Sequence, residues 1–135
     1  MTTPEQQTGG EKKVLLVEDD GFIVRAYSDG LERAHFSVTT AGNGVEAMEK
    51  ARADRPDIIL LDMILPEKNG FEVLEELHLD PQLTSVPVII LTNLGQESDI
   101  KKGKELGAVD YLIKADVSLK EVVERVKHHL EEVKK

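Results

Sequence analysis

Short runs of consecutive apolar residues, Val14 to Val17, Ile58 to Leu61 and Val88 to Leu91, recur between longer stretches whose apolar residues return at helical spacing. A run that is apolar at every position has no solvent face, so it suits a strand buried on both sides, as in a parallel sheet covered by helices. A looser run from Val109 to Ile113 and a weak one around Phe36 to Thr40 complete the series. Five strand-helix units in succession predict an α/β domain with a five-stranded parallel sheet, doubly wound as (βα)5 with right-handed crossovers.

The helical stretches carry their own signals. Phe22, Ile23, Ala26, Tyr27, Gly30, Leu31 and Ala34 form the stripe of a first amphipathic helix. Val45, Ala47, Met48 and Ala51 suggest a second, opened by Asn43 with Glu46 three residues later; Asn69 and Glu72 repeat that signature before Phe71, Val73, Leu74 and Leu77. Ser118 and Glu121 do so before Leu119, Val122, Val123, Val126, Leu130 and Val133. The fourth helix, Glu97 to Leu106, has a thin stripe and contains Gly103, which costs about 1 kcal/mol against Ala. It is therefore expected to be the most mobile helix.

With 135 residues the chain suits one domain. Residues 13–135 are read as that domain and 1–12 as a flexible tail, because Met1 to Gly10 holds no large apolar residue after Met1. Lys plus Arg is 17 against 26 Asp plus Glu, a net charge of −9, which disfavours direct binding of nucleic acid or acidic membranes. There is no Cys, hence no disulfide or thiolate chemistry, and no apolar run approaches a spanning helix. No signal-peptide pattern opens the chain, so a soluble, cytoplasmic protein is expected.

In parallel sheets, ligands sit beyond the carboxyl ends of the strands, where strand order reverses. Each apolar run ends there in a polar residue: Glu18 and Asp19 after the first, Asp62 after the third, Thr92 after the fourth and Lys114 after the fifth. Three converging carboxylates repel one another unless a cation joins them, and hard oxygen donors with room for water suit Mg²⁺. A lysine opposite them can neutralise an anionic ligand that arrives with the metal.

Four stretches carry a family resemblance: Leu15 to Asp20 (LLVEDD), Leu60 to Gly70 (LLDMILPxxxG), Pro87 to Thr92 (PVIILT) and Asp110 to Lys114 (DYLIK). In this order they resemble the receiver domain of bacterial response regulators, the CheY-like family, from about Lys13 to the C-terminus. The resemblance implies the flavodoxin-like strand order 2-1-3-4-5. It implies that Asp62 accepts a phosphoryl group from the phosphohistidine of a histidine kinase or phosphotransfer protein in a two-component phosphorelay. Asp19, Asp62 and the backbone carbonyl of Ile64 would hold Mg²⁺, with Glu18 acting mainly through metal-bound water, and Lys114 would offset phosphoryl charge. Thr92 would bond the new phosphoryl group and Tyr111 would change rotamer. The face of the fourth helix, fifth strand and fifth helix would then be altered for a downstream protein target. Such a protein catalyses its own Mg²⁺-dependent phosphorylation and dephosphorylation but is primarily a switch. With no output domain in view it looks like a stand-alone receiver, and dimerisation on phosphorylation stays open.

Taken singly, the same residues have plainer readings. Asp62 could end a turn, Asp20 could cap the first helix, Thr92 could terminate a strand, Tyr111 could be core and Lys114 a surface cation. His35, His78, His128 and His129 show no metal-ligand spacing. Gly42-x-Gly44-x-x-Ala47, with Asp62 twenty residues after Gly42, satisfies a dinucleotide-binding fingerprint. It follows a weak strand and leaves Glu18, Asp19, Thr92 and Lys114 without roles. Ile64 stands where an aspartyl phosphatase of the haloacid-dehalogenase type needs a second Asp, and no Walker-A loop is present. A receiver-like interaction module that is never phosphorylated is the remaining alternative.

Some positions depart from the family pattern. Ala115 follows Lys114 where Pro is usual, and a trans peptide is expected there. Asn93 follows Thr92 where a small residue is usual, so it either restricts donor entry or adds a hydrogen bond. Ile64 and Leu94 are apolar where family members tune attack by water, which predicts slow autodephosphorylation. Lys101, Lys102 and Lys104 form a basic run suited to an acidic partner or to plain solvation.

Overall fold

The computed structural model describes residues 11–134. The expected tail lies largely outside the described residues; Glu11 and Lys12, which are described, are exposed and lead into the first strand. Five strands alternate with five helices: β1 (Lys13–Val17), α1 (Gly21–Arg33), β2 (Ser37–Ala41), α2 (Gly44–Asp54), β3 (Ile58–Leu61), α3 (Gly70–Leu79), β4 (Val88–Thr92), α4 (Glu97–Glu105), β5 (Asp110–Ile113) and α5 (Leu119–Lys134). A single 3-10 turn, Lys114–Asp116, joins β5 to α5. All neighbouring strands are parallel, in the order β2-β1-β3-β4-β5. Among the described residues no helix is long and apolar enough to cross a membrane.

The wholly apolar strands are explained by two cores. Leu15 and Val17, Ile59 and Leu61, and Val88 and Ile90 point to one face, where Met48 and Ala51 of α2 and Val73, Leu74 and Leu77 of α3 cover them. Val14 and Leu16, Ile58 and Leu60, and Ile89 and Leu91 point to the other, against Leu31 of α1 and Val122, Val126 and Leu130 of α5. Each large aliphatic side chain so buried contributes about 1.5–3 kcal/mol.

Side chains close the expected helix starts, with the full reciprocal box at Asn69. Asp20 Oδ1 accepts from the Phe22 and Ile23 N–H groups, Asn69 and Glu72 form a reciprocal capping box, and Ser118 Oγ accepts from Glu121 N–H at 3.1 Å. Asn43 caps α2 through Glu46 N–H at 2.8 Å, but the Glu46 carboxylate reaches back to Gly42 N–H instead of the capping residue.

The first helix corrects its expected stripe. Phe22 is 84% exposed and Ala26 is also exposed, while Val24, Tyr27, Leu31 and Ala34 pack on the core. Their 3-4-3 spacing makes the true inner face, and periodicity alone did not choose between it and the overlapping stripe shifted toward Phe22. Val45 and Val109 are likewise exposed, so β5 begins at Asp110. Within α4 only Gly103 is buried, in keeping with the thin stripe. A Cβ there would lie 2.6 Å from Ile90 Cδ1 and 3.1 Å from the Tyr111 ring, so glycine lets α4 settle close on the sheet.

Candidate functional site

Sheet register assembles the site. Val17 pairs with Leu61, so the next residues, Glu18 and Asp62, leave β1 and β3 side by side at the point where strand order reverses. Backbone bonds Glu18 N–H to Ala41 O (3.0 Å) and Asp62 N–H to Val17 O (3.1 Å) carry the ladder one step further and hold both carboxylate stems. Thr92 pairs with Ile113, which sets Lys114 on the same rim.

The side chains meet there. Lys114 Nζ lies 2.5 Å from Glu18 Oε1 and donates to Asp62 Oδ2 at 2.9 Å, while Asp62 Oδ1 accepts from Ile64 N–H at 3.1 Å. Glu18 Oε2 accepts from Asp20 N–H at 3.1 Å. Glu18 is 4% exposed and Asp62 5% exposed, whereas Asp19 faces solvent. Burial pushes the Glu18 carboxyl above its usual value, with the Asp62 charge adding to it; bonds from Lys114 and the Asp20 N–H only partly oppose this. Burial also works against the Lys114 ammonium, but its bonds to Glu18 and Asp62 prevail and raise its proton affinity.

One ammonium thus faces two buried carboxylates, with a third beside them. Oxygens of Glu18, Asp19 and Asp62 lie within 4.8 Å of one another, the one group among the described residues arranged to hold a metal ion. The set is all hard oxygen, short of positive charge and open on the Asp19 side, which fits a small divalent cation that keeps part of its water.

Two further residues frame the rim. Thr92 is fully buried and its hydroxyl oxygen accepts from Leu94 N–H at 3.3 Å. The Tyr111 hydroxyl donates to the Leu94 carbonyl, so both side chains grip one residue of the loop after β4. Burial, reinforced by the charges of Asp99 and Asp62, pushes the Tyr111 phenol up to about 12. The peptide between Lys114 and Ala115 is trans, as expected, and Asn93 Oδ1 accepts from Ala115 N–H at 3.0 Å. The hydrogen bond of Asn93 depends on side-chain reach between two loops, which no spacing rule encodes.

The glycine fingerprint has a packing explanation. A Cβ on Gly44 would lie 2.6 Å from Lys68 Cβ and 2.7 Å from the Lys68 carbonyl carbon, and would strike the Lys68 carbonyl oxygen as well. Glycine is therefore required where α2 meets the loop before α3, and the motif follows the edge strand β2, away from the strand-order reversal. His129 Nε2 lies 2.9 Å from Asp110 Oδ2, which also accepts from Arg125, at the amino end of β5 and away from the site.

Comparison with known proteins agrees with this geometry. The family model described as response regulator receiver domain matches residues 14–127. The chain is 42% identical over 116 residues to the alkaline phosphatase synthesis transcriptional regulatory protein PhoP of Bacillus subtilis, covering 86% of this chain and 47% of PhoP. It therefore spans about half the length of that relative. It is 34% identical to the polar-differentiation response regulator DivK of Brucella anthropi, covering 88% of this chain and 96% of DivK. Among solved structures, a CheY-like response regulator receiver domain protein from Methanospirillum hungatei superposes with a TM-score of 0.86 at 26% identity, over 93% of this chain and 98% of the other.

Proposed function

The chain belongs to the response-regulator receiver family of two-component signalling, and from that premise we propose that Asp62 accepts a phosphoryl group from the phosphohistidine of a histidine kinase or phosphotransfer protein. The observation that carries this reading is the setting of Asp62: a buried carboxylate held on one oxygen by Lys114 and on the other by the Ile64 N–H, beside Glu18 and Asp19.

A carboxylate oxygen of Asp62 attacks phosphorus in line with the phosphorus–nitrogen bond of the donor. The new P–O bond forms as the P–N bond breaks, and that electron pair stays on the imidazole ring, which leaves neutral because its other nitrogen carries a proton. Lys114, whose proton is held firmly by its partners, balances negative charge on the phosphoryl oxygens. Asp19, Asp62 and the Ile64 carbonyl would hold Mg²⁺, with Glu18 acting on it through water. When bound, the ion neutralises phosphoryl charge as it builds.

The Thr92 hydroxyl then donates to the phosphoryl group and draws on the loop at Leu94, which Tyr111 also grips. Through that shared residue the change reaches the α4-β5-α5 face and its downstream protein target. Phe22 and Ile64, at 84% and 58% exposed, offer apolar surface next to the carboxylates for a protein donor. On α4, Lys101, Lys102 and Lys104 are all exposed, with Lys102 4.6 Å over the Phe71 ring, and offer their cations to an acidic partner.

Intact mass after incubation with acetyl phosphate tests the proposal. One added phosphoryl group is expected with Mg²⁺, and none with chelator or in Asp62→Asn. Absence of any addition to the wild type in Mg²⁺, with acetyl phosphate and with a phosphorylated histidine donor alike, would favour an interaction module that is never phosphorylated.

A further inference from the structure

The residues that directly follow Thr92 and Lys114 are bonded to each other. Asn93 Oδ1 accepts from Ala115 N–H at 3.0 Å, joining the loop after β4 to the turn after β5 across 22 residues of sequence. The contact needs a residue other than proline at 115 and an acceptor side chain at 93. Proline at 115 would have no N–H to give, and glycine or alanine at 93 would have no oxygen to receive it.

Local structure explains why that N–H is available. Ala115 lies in the one-turn 3-10 helix Lys114–Asp116, whose own capping residue, Ile113, has no side-chain acceptor. The first N–H groups of such a turn lack partners within it. Asn93 supplies one from the neighbouring strand end. Lys114 is thereby held on both sides: through Ile113, which pairs with Thr92 in the sheet, and through Ala115, which is bonded to Asn93. Its ammonium reaches 2.9 Å to Asp62 and 2.5 Å to Glu18 from a backbone with little freedom to retreat.

We propose that Asn93 is a positioning residue for phosphoryl transfer: by clamping the Ala115 N–H it fixes the backbone that carries Lys114, and so keeps the ammonium on Asp62. The inference rests on the reading of Asp62 as phosphoacceptor. Both partners are exposed, so water replaces the lost bond readily and global stability changes little. What is lost is placement, and misplacement of a charge-balancing group slows transfer without weakening donor binding.

The test is a time course of intact mass across a range of acetyl phosphate concentrations at saturating Mg²⁺. It compares wild type, Asn93→Ala, Lys114→Ala and the double variant, with the melting temperature of each recorded. Asn93→Ala is expected to lower the limiting rate about three- to tenfold, the weight of one neutral hydrogen bond. The half-saturating donor concentration and the melting temperature should stay the same. Because Asn93 acts through Lys114, the double variant should be no slower than Lys114→Ala alone. An unchanged or higher rate in Asn93→Ala, or a further loss in the double variant, overturns the positioning role while leaving Asp62 as acceptor. A wild type that takes no phosphoryl group from acetyl phosphate or from a phosphorylated histidine donor overturns the underlying reading, and this inference with it.

Discussion

Gly21 and Gly44 are each the first residue of a helix, after a capping Asp or Asn, and neither has a positive φ. At both, alanine would restrict the unfolded chain and favour the helix, a gain of about 0.4–1 kcal/mol when space allows. The surroundings differ. A Cβ on Gly21 would meet nothing within 4 Å, whereas one on Gly44 would come within 2.6 and 2.7 Å of Lys68 Cβ and carbonyl carbon. Ordinary carbon contacts lie near 3.5–4 Å, so the Lys68 backbone or the start of α2 must move by about 1 Å. Neither yields cheaply, because Asn69 caps α3 immediately afterwards and α2 is seated through Ala47, Met48 and Ala51. Overpacking of this kind costs about 1–3 kcal/mol.

The two substitutions are therefore expected to differ in sign. For a chain of this length the unfolding entropy is roughly 0.28 kcal/mol/K, so Gly44→Ala should lower the melting temperature by about 4–11 °C. Gly21→Ala should raise it by about 1–4 °C. Calorimetry on the two variants, with urea denaturation as a second measure, decides the matter. If Gly44→Ala proved as stable as Gly21→Ala, close packing against Lys68 would not be the reason for glycine there, and the glycine fingerprint would need another explanation.

Three other outcomes are expected. Mg²⁺ at a hundred times its dissociation constant should stabilise the protein by about 2.7 kcal/mol, near 10 °C in melting temperature, and Asp62→Asn should remove most of that shift. Burial works to raise the Asp110 carboxyl, but bonds from His129, Arg125 and the Tyr111 N–H outweigh it and hold the group below its usual 3.8. Its contribution to stability is therefore complete above that value and lost as pH falls through the lowered folded value; acid unfolding followed below about pH 4 should be less steep in Asp110→Asn than in wild type. Ile64 and Leu94 set no polar side chain at their positions to guide water, so the phosphorylated protein should lose its label slowly when donor is removed; rapid loss without a phosphatase would contradict this.

Much of this architecture is written in the hydrophobic pattern because strands buried on both faces cannot be disguised. Ile58–Leu61 matches its strand residue for residue, and Val88 to Leu91 misses only Thr92. The edge strand β2, with its half-exposed threonines, was the weak signal for the same reason. The site was legible because parallel register brings strand-end residues to one rim, so Glu18, Asp62 and Lys114 meet by topology as much as by type. Phe22 was misjudged because two overlapping helical stripes share Tyr27, Leu31 and Ala34, and only packing on α5 and the sheet selects between them. The Asn93–Ala115 bond was beyond reach because each residue looked like an isolated departure until the loops that carry them were brought together.

The most direct measurement is the location of the label. Wild-type protein phosphorylated with acetyl phosphate and Mg²⁺ would be trapped with borohydride, which reduces an acyl phosphate to an alcohol, and then mapped by peptide mass spectrometry. The account predicts modification at Asp62 alone, in the peptide that carries Asp62 and Ile64. Modification at Asp19, Asp20 or any other carboxylate, with Asp62 intact, would contradict it.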